Sequence, residues 1–157
     1  MSLVGTSVER VGIRAKVSGS LSYIGDLQFP GQIYAKALRS PYPHAKLVRI
    51  DPSHAAAFPG VHAAVTREDL ADLNPCFGTG VEDQPVVVID RSRYAGDIVA
   101  AVAAETREIA EEAAALVAVQ YEPLAAATDL IEAARQGAPI IHEQHVDPSA
   151  GGNIHGV

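Results

Sequence analysis

No apolar run in this chain exceeds seven residues, and Ile98 to Ala104 (IVAAVAA) is one that reaches that length. A helix crossing a bilayer needs about 20 such residues, so no membrane partner is expected. Seven is enough for a strand buried on both faces. Thr106 is then placed to cap a helix in which Ile109, Ala113, Leu116 and Val117 share one stripe. Glu108, Glu111 and Glu112 fall largely off that stripe, close to the positive helix end. VAVQY (Val117 to Tyr121) returns as a strand. The expected unit is β-α-β, with a right-handed crossover if its strands are parallel.

Short elements separated by Pro and Gly precede it. The first segment, through Gly12, Gly19 and Gly25, reads as an extended arm or irregular strands. Gln32 to Arg39 alternates imperfectly between Pro30-Gly31 and Ser40-Pro41, a strand between turns. Leu47 to Ile50 is a second strand, and Asp51-Pro52 opens a short Ala-rich turn that Pro59-Gly60 stops. Val61 to Val65 is a third strand, followed by Thr66 and Asp69, an acidic variant of the capping box. Asn74 to Gln84 reads as an irregular loop and Val86 to Ile89 as a strand. Near the end, Asp129 with Glu132 caps a last small helix running to Gly137, before a polar, Gly-rich tail.

Composition narrows the function. The 157 residues suffice for one domain with a core of its own. Aromatics are only 5% and Trp is absent, so that core must come from Ala, Val, Leu and Ile, with helices packed closely. A net charge of -7 disfavours nucleic acid as a partner, since phosphate binding needs clustered Lys and Arg. One cysteine, Cys76, forms no internal disulfide and no cysteine-based metal site, and cytoplasm is the default compartment.

No active site stands out from residue types alone. His142, Glu143, His145, Asp147 and His155 cluster in sequence, but a loop tail gives metal ligands no convergent geometry, so they read as solvated or interface groups. Gly78-Thr79-Gly80 and Gly151-Gly152 lack the spacing of a phosphate loop. Cys76 has no cationic neighbour to favour a thiolate and reads as a packing residue. Asp97, Glu105, Glu111 and Glu112 fit capping and solvation better than paired acid-base work.

Read in order, however, the segments resemble a known family. The run RSPYPHAKLVRIDPSHAAAFPGVHAAVTREDL (Arg39 to Leu70) resembles the early part of the large, molybdenum-binding subunit of the xanthine dehydrogenase and aldehyde oxidase family. Upstream, Arg10, Lys16 to Gly19, Tyr23 and Asp26 are similar to its opening pattern. Downstream, Gln84 to Ala104, Ala110 to Glu143 and Gly152-Asn153-Ile154 continue the likeness.

The resemblance implies a mixed α/β fold, the α/β hammerhead, with a small mixed sheet and short helices. It implies an N-terminal arm over 1–26, the hammerhead over 27–143 and a tail over 144–157 leading to molybdenum-binding domains. A molybdopterin-type molybdenum cofactor and iron-sulfur clusters are implied for the complete enzyme, on other domains or subunits that also include a flavin partner. No catalytic residue, cofactor ligand or metal ligand carries over to this chain. Arg39, Ser40, Pro41, Tyr42 and His44 match a motif expected to seat the domain against those partners. Gly31, Gly60 and Gly96 are expected in turns or close backbone approaches. Gly96-Asp97-Ile98 departs from the family's G-E/Q-P, which puts in question a contact made there by the longer side chain. Three roles follow: a structural interface domain, a small subunit of a split hydroxylase lining a substrate channel, or a free-standing ligand module with Asn74 to Gln84 as its mouth. The first two would arise respectively from an excised domain and a natural short reading frame.

Overall fold

The structure, a computed structural model, describes residues 4–79, 82–143 and 152–154. They fall into two compact units, one reaching to Gln32 and the other beginning at Ile33. In the first, Gly12 takes a left-handed conformation (φ 77°) and opens helix α1, Ile13–Val17. A 3-10 turn follows at Ile24–Asp26, where the Asp26 carboxylate accepts from the Tyr23 N–H at 2.9 Å. The expectation of an extended arm without a helix is thus corrected. The glycines that read as loop signals instead bracket one turn of helix.

The second unit runs β1 (Tyr34–Arg39), β2 (Ala45–Asp51), α2 (Ser53–Ala56), β3 (Val61–Val65), β4 (Cys76–Phe77), β5 (Gln84–Pro85), β6 (Arg91–Ser92), β7 (Ile98–Ala104), α3 (Arg107–Ala114), β8 (Ala118–Pro123) and α4 (Leu130–Ala133). Its sheets have the orders β1-β7-β3, β6-β2-β8 and β4-β5, and every ladder is antiparallel. It is a small mixed α/β domain with short helices.

The longest apolar runs behave as their surroundings dictate. β7 lies between β1 and β3, and Val99, Val102 and Ala104 are wholly buried. Val61–Val65 forms the third strand as expected. Just ahead of β3, Gly60 has a positive φ of 82°, a conformation that favours glycine, and its Cα faces Ile109 Cδ1 of α3. The strand–helix–strand order expected over 98–121 is present, but β7 centres one sheet while β8 edges another, so α3 connects two sheets and the condition for a right-handed crossover is not met. Strand periodicity encodes which faces are buried but not which strand is the neighbour.

Val86 to Ile89 is not a strand, against expectation. Val86 N–H bonds the Pro75 carbonyl and Val88 N–H the Ile98 carbonyl, so the run bends between two partners. Val87 and Val88 are buried while Val86 and Ile89 are exposed. The Asn74–Gln84 loop is likewise more regular than expected, since Cys76–Phe77 and Gln84–Pro85 pair.

Local caps hold the connections. Thr66 and Asp69 exchange bonds as a capping box, with Asp69 Oδ2 accepting from Thr66 N–H at 2.7 Å. Thr106 Oγ1 accepts from Ile109 N–H, and Asp129 Oδ1 from Ile131 and Glu132 N–H. α3 lies across β1 and β7 on Ala110, Ala113 and Ala114. Leu116 lies beyond the helix end and is exposed, so the expected stripe is shifted towards the small residues. The core joins both larger sheets through Leu47, Ile50, Val88, Val99, Val102 and Val117. No described helix is long and apolar enough to cross a membrane.

Candidate functional site

The Arg39–His44 motif begins where β1 loses register at its last residue. Ser40 N–H donates to the Asp97 carbonyl and Gly96 N–H to the Ser40 carbonyl, each at 2.8 Å, which seats the 39–43 turn beside the 93–97 turn. Ser40, 3% exposed, places its Oγ 3.1 Å from the hydroxyl of fully buried Ser92 and accepts from Tyr42 N–H. Arg39 Nη1 donates to the Gly96 carbonyl at 2.7 Å, and Gly96 (φ 99°) takes the conformation that turn requires. Arg39, Pro41, Tyr42, Pro43, Tyr94 and Ala95 thus share an exposed face over buried hydroxyls.

Asp97 is turned the other way. It is 6% exposed, its Oδ2 accepts from Arg93 N–H at 3.1 Å, and its own N–H donates to the Tyr94 carbonyl. Its shorter side chain is spent on its own loop.

His44 is also inward. Its Nδ1 lies 2.6 Å from the Ala125 carbonyl, which can only accept, so Nδ1 carries the proton. Leu124 N–H returns a bond to the His44 carbonyl, fastening the segment after β8 to the start of β2. Nε2 is buried and has no hydrogen-bond partner among the described residues.

Tyr42 meets Tyr121 with ring centroids 5.1 Å apart, tilted by 53°. Burial holds the Tyr121 phenol above its usual value; a hydrogen bond with the Ser40 side chain opposes this, and Tyr42 adds to the rise. The folded state therefore holds that proton more tightly than the unfolded chain. Its contribution is complete below the unfolded value near 10 and lost as pH rises through the higher folded one. Tyr121→Phe should accordingly flatten the fall in stability above about pH 10. Urea midpoints measured across that range check it, and superimposable curves would contradict it.

Several side-chain contacts reach the stretch after Pro139. Arg91 pairs with Asp90 and Glu143, and Arg93 Nε donates to the Ile141 carbonyl. His142 Nδ1 lies 3.7 Å from Asp83 Oδ2. Asn153 Oδ1 accepts from Ile141 N–H, while its Nδ2 donates to the Ala133 and Pro139 carbonyls. Asn153, in the stretch expected as a polar, Gly-rich tail, thus ties the end of α4 to residues 139–141. His145, Asp147 and His155 lie outside the described residues. Arg67, not singled out in the sequence, bridges the Leu47 and Ile89 carbonyls. Such pairings join residues far apart in sequence, so spacing gives no signal for them.

A cleft of about 560 Å³ is lined by Thr79, Asp83, Gln84, His142, Asn153 and Ile154 among others. It includes part of the loop named above as a ligand mouth, yet Asn153 commits its amide to backbone groups.

The donor set tests whether a resident cofactor fits. Iron-sulfur clusters are commonly held by four cysteine thiolates, and the sequence has one cysteine, Cys76, half-buried in β4. Among the described residues no three His, Cys, Asp or Glu side chains converge as metal ligands. One cysteine does not fit an iron-sulfur cluster, and the described residues offer no other set of metal ligands.

Comparison with known proteins defines the class. Residues 18–125 match the family model described as the aldehyde oxidase and xanthine dehydrogenase a/b hammerhead domain, and the chain belongs to this family.

Among individual relatives, the chain is 48% identical over 130 residues to a probable xanthine dehydrogenase subunit of Bacillus subtilis, covering 83% of this chain and 17% of that one. It is 34% identical to the nicotinate dehydrogenase large molybdopterin subunit of Eubacterium barkeri, covering 89% and 33%. The crystal structure of quinoline 2-oxidoreductase from Pseudomonas putida 86 superposes with a TM-score of 0.79 at 38% identity, covering 89% and 19%. The chain thus spans about a sixth to a third of the length of these proteins.

Proposed function

We propose that residues 27–143 are a non-catalytic scaffold and interface domain in the molybdopterin-binding large subunit of a hydroxylase, with residues 1–26 as its arm and 144–157 as a connection to the molybdenum-binding domains. The domain itself holds no catalytic residue and no cofactor ligand. The molybdenum cofactor, iron-sulfur clusters and any flavin belong to its partners, and the assembly works in the cytoplasm.

The observation carrying this reading is the face formed by Arg39, Pro41, Tyr42 and Tyr94. Buried Ser40, Ser92 and Asp97 hold its two turns in one geometry. Tyr and Arg on a rigid support are the side chains that dominate binding energy at protein interfaces, and a guanidinium already anchored on Gly96 loses little freedom on docking.

Purification from the source cell tests the reading: the polypeptide carrying these residues should also contain the molybdenum-binding domains and bring an iron-sulfur subunit with it, and a lone 157-residue monomer would contradict it. Within such a complex Tyr94→Ala should cost about 2 kcal/mol, or roughly 30-fold in Kd. The melting temperature of the isolated chain should be unchanged, since the exposed Tyr94 ring supports no core contact. An unaltered Kd would remove Tyr94 from the interface.

A further inference from the structure

The first unit has a defined backbone but buries none of its described side chains. α1 spans five residues, and Glu9 pairs with Arg14 at the surface. A helix that short is unstable alone, and exposed ion pairs add little. Meanwhile Val8, Val11, Val17, Ile24 and Phe29 are exposed, Val11 to 97% and Ile24 to 89%. Apolar surface of this extent, on a segment with no core of its own, marks a contact surface. Without a cover, no burial offsets the entropy lost in ordering the chain.

We propose that this arm is a docking element covered by the molybdopterin-binding remainder of the large subunit. The inference rests on the domain assignment proposed above. Residues 33–157 are 125 of 157, about 80% of the chain. The match to the quinoline 2-oxidoreductase chain covers 89%, so it runs into the arm, and it occupies only 19% of that chain. The arm therefore has a counterpart in a polypeptide about five times as long as the matched part. Linkage within one polypeptide gives a high effective concentration, so a modest apolar contact suffices to hold it.

Hydrogen exchange read by mass spectrometry tests this in two molecules: the 157-residue chain alone, and the B. subtilis relative with its matching segment replaced by residues 4–154. Amides of residues 4–32 should exchange about 100-fold more slowly in the chimaera. Val11→Asp with Ile24→Asp should abolish that protection while residues 98–104 stay protected. Equally fast exchange in both molecules would overturn the proposal. So would a protected arm in the chain alone: light scattering then assigns the cover to a second copy, if dimeric, or to residues 33–154, if monomeric. Should the chimaera not fold, the unaltered B. subtilis relative, measured over the segment ahead of its matched domain, decides between protection and its absence. A chimaera that protects the arm but recruits no partner subunit would contradict the domain assignment and leave the docking element standing.

Discussion

Leu47→Ala is expected to destabilise the second unit by about 2–5 kcal/mol, the range for removing a buried leucine side chain. Leu47 is 2% exposed and lies in the core where β2 faces the buried residues of β7 and α3. The register of β2 against β8 shifts at this point, leaving the Leu47 carbonyl to accept from Arg67 Nη1 while its N–H donates to the Asp90 carbonyl. Both bonds use main-chain atoms of Leu47 and survive the substitution, so the loss reports packing and cavity alone. Against the roughly 5–15 kcal/mol that typically separates folded from unfolded domains, it is a large fraction. Urea unfolding followed by circular dichroism measures it, with Leu47→Met as a volume-conserving control below about 1.5 kcal/mol. A loss under about 1 kcal/mol for alanine would mean that β2 does not join the two sheets as described.

The opposite change should be nearly as damaging. Ala113→Leu is expected to cost about 1–3 kcal/mol by overpacking. Ala110, Ala113 and Ala114 are the buried face of α3, and they lie on strands that are themselves rich in alanine. With so few large side chains, the interior is built by close approach of backbones and leaves no room for an isobutyl group. Helix propensity barely separates the two residues, so the cost measures the fit of the helix against the sheet. Glu112→Leu, on the exposed side of the same helix, should stay within about 0.5 kcal/mol. Melting temperatures of the two variants decide this. If Ala113→Leu melts like the parent, α3 does not pack on the sheet through its alanines.

These two effects also mark where sequence reasoning succeeds. Thr66 with Asp69, Thr106, and Asp129 with Glu132 were legible because a cap acts within three or four residues of itself. β3 and β7 were legible from short apolar runs with clear stops. The Val86–Ile89 run has the same composition, but its hydrogen bonds go to Pro75 and Ile98, which no local pattern announces. The division of β7 and β8 between two sheets was hidden for the same reason.

The candidate face divides likewise. Arg39 to His44 could be singled out through the family likeness, while its supports, Ser92 and Arg93 N–H, and the Ala125 carbonyl under His44 emerge only from contacts across 52 to 81 residues or a local turn. Family likeness also supplied what physics could not: nothing in charge, periodicity or cysteine count points to molybdenum. The one-domain length, which by itself suggests a self-sufficient chain, corresponds to about a sixth of the B. subtilis relative.

The central claim is that these residues scaffold a molybdenum hydroxylase without holding its cofactor. Its most direct test is the molybdenum and pterin content of the chain purified alone from a molybdenum-replete host, by elemental analysis and by fluorescence of the released pterin. A colourless protein with neither above background is expected. Molybdenum and pterin recovered in equal, near-stoichiometric amounts would contradict the claim.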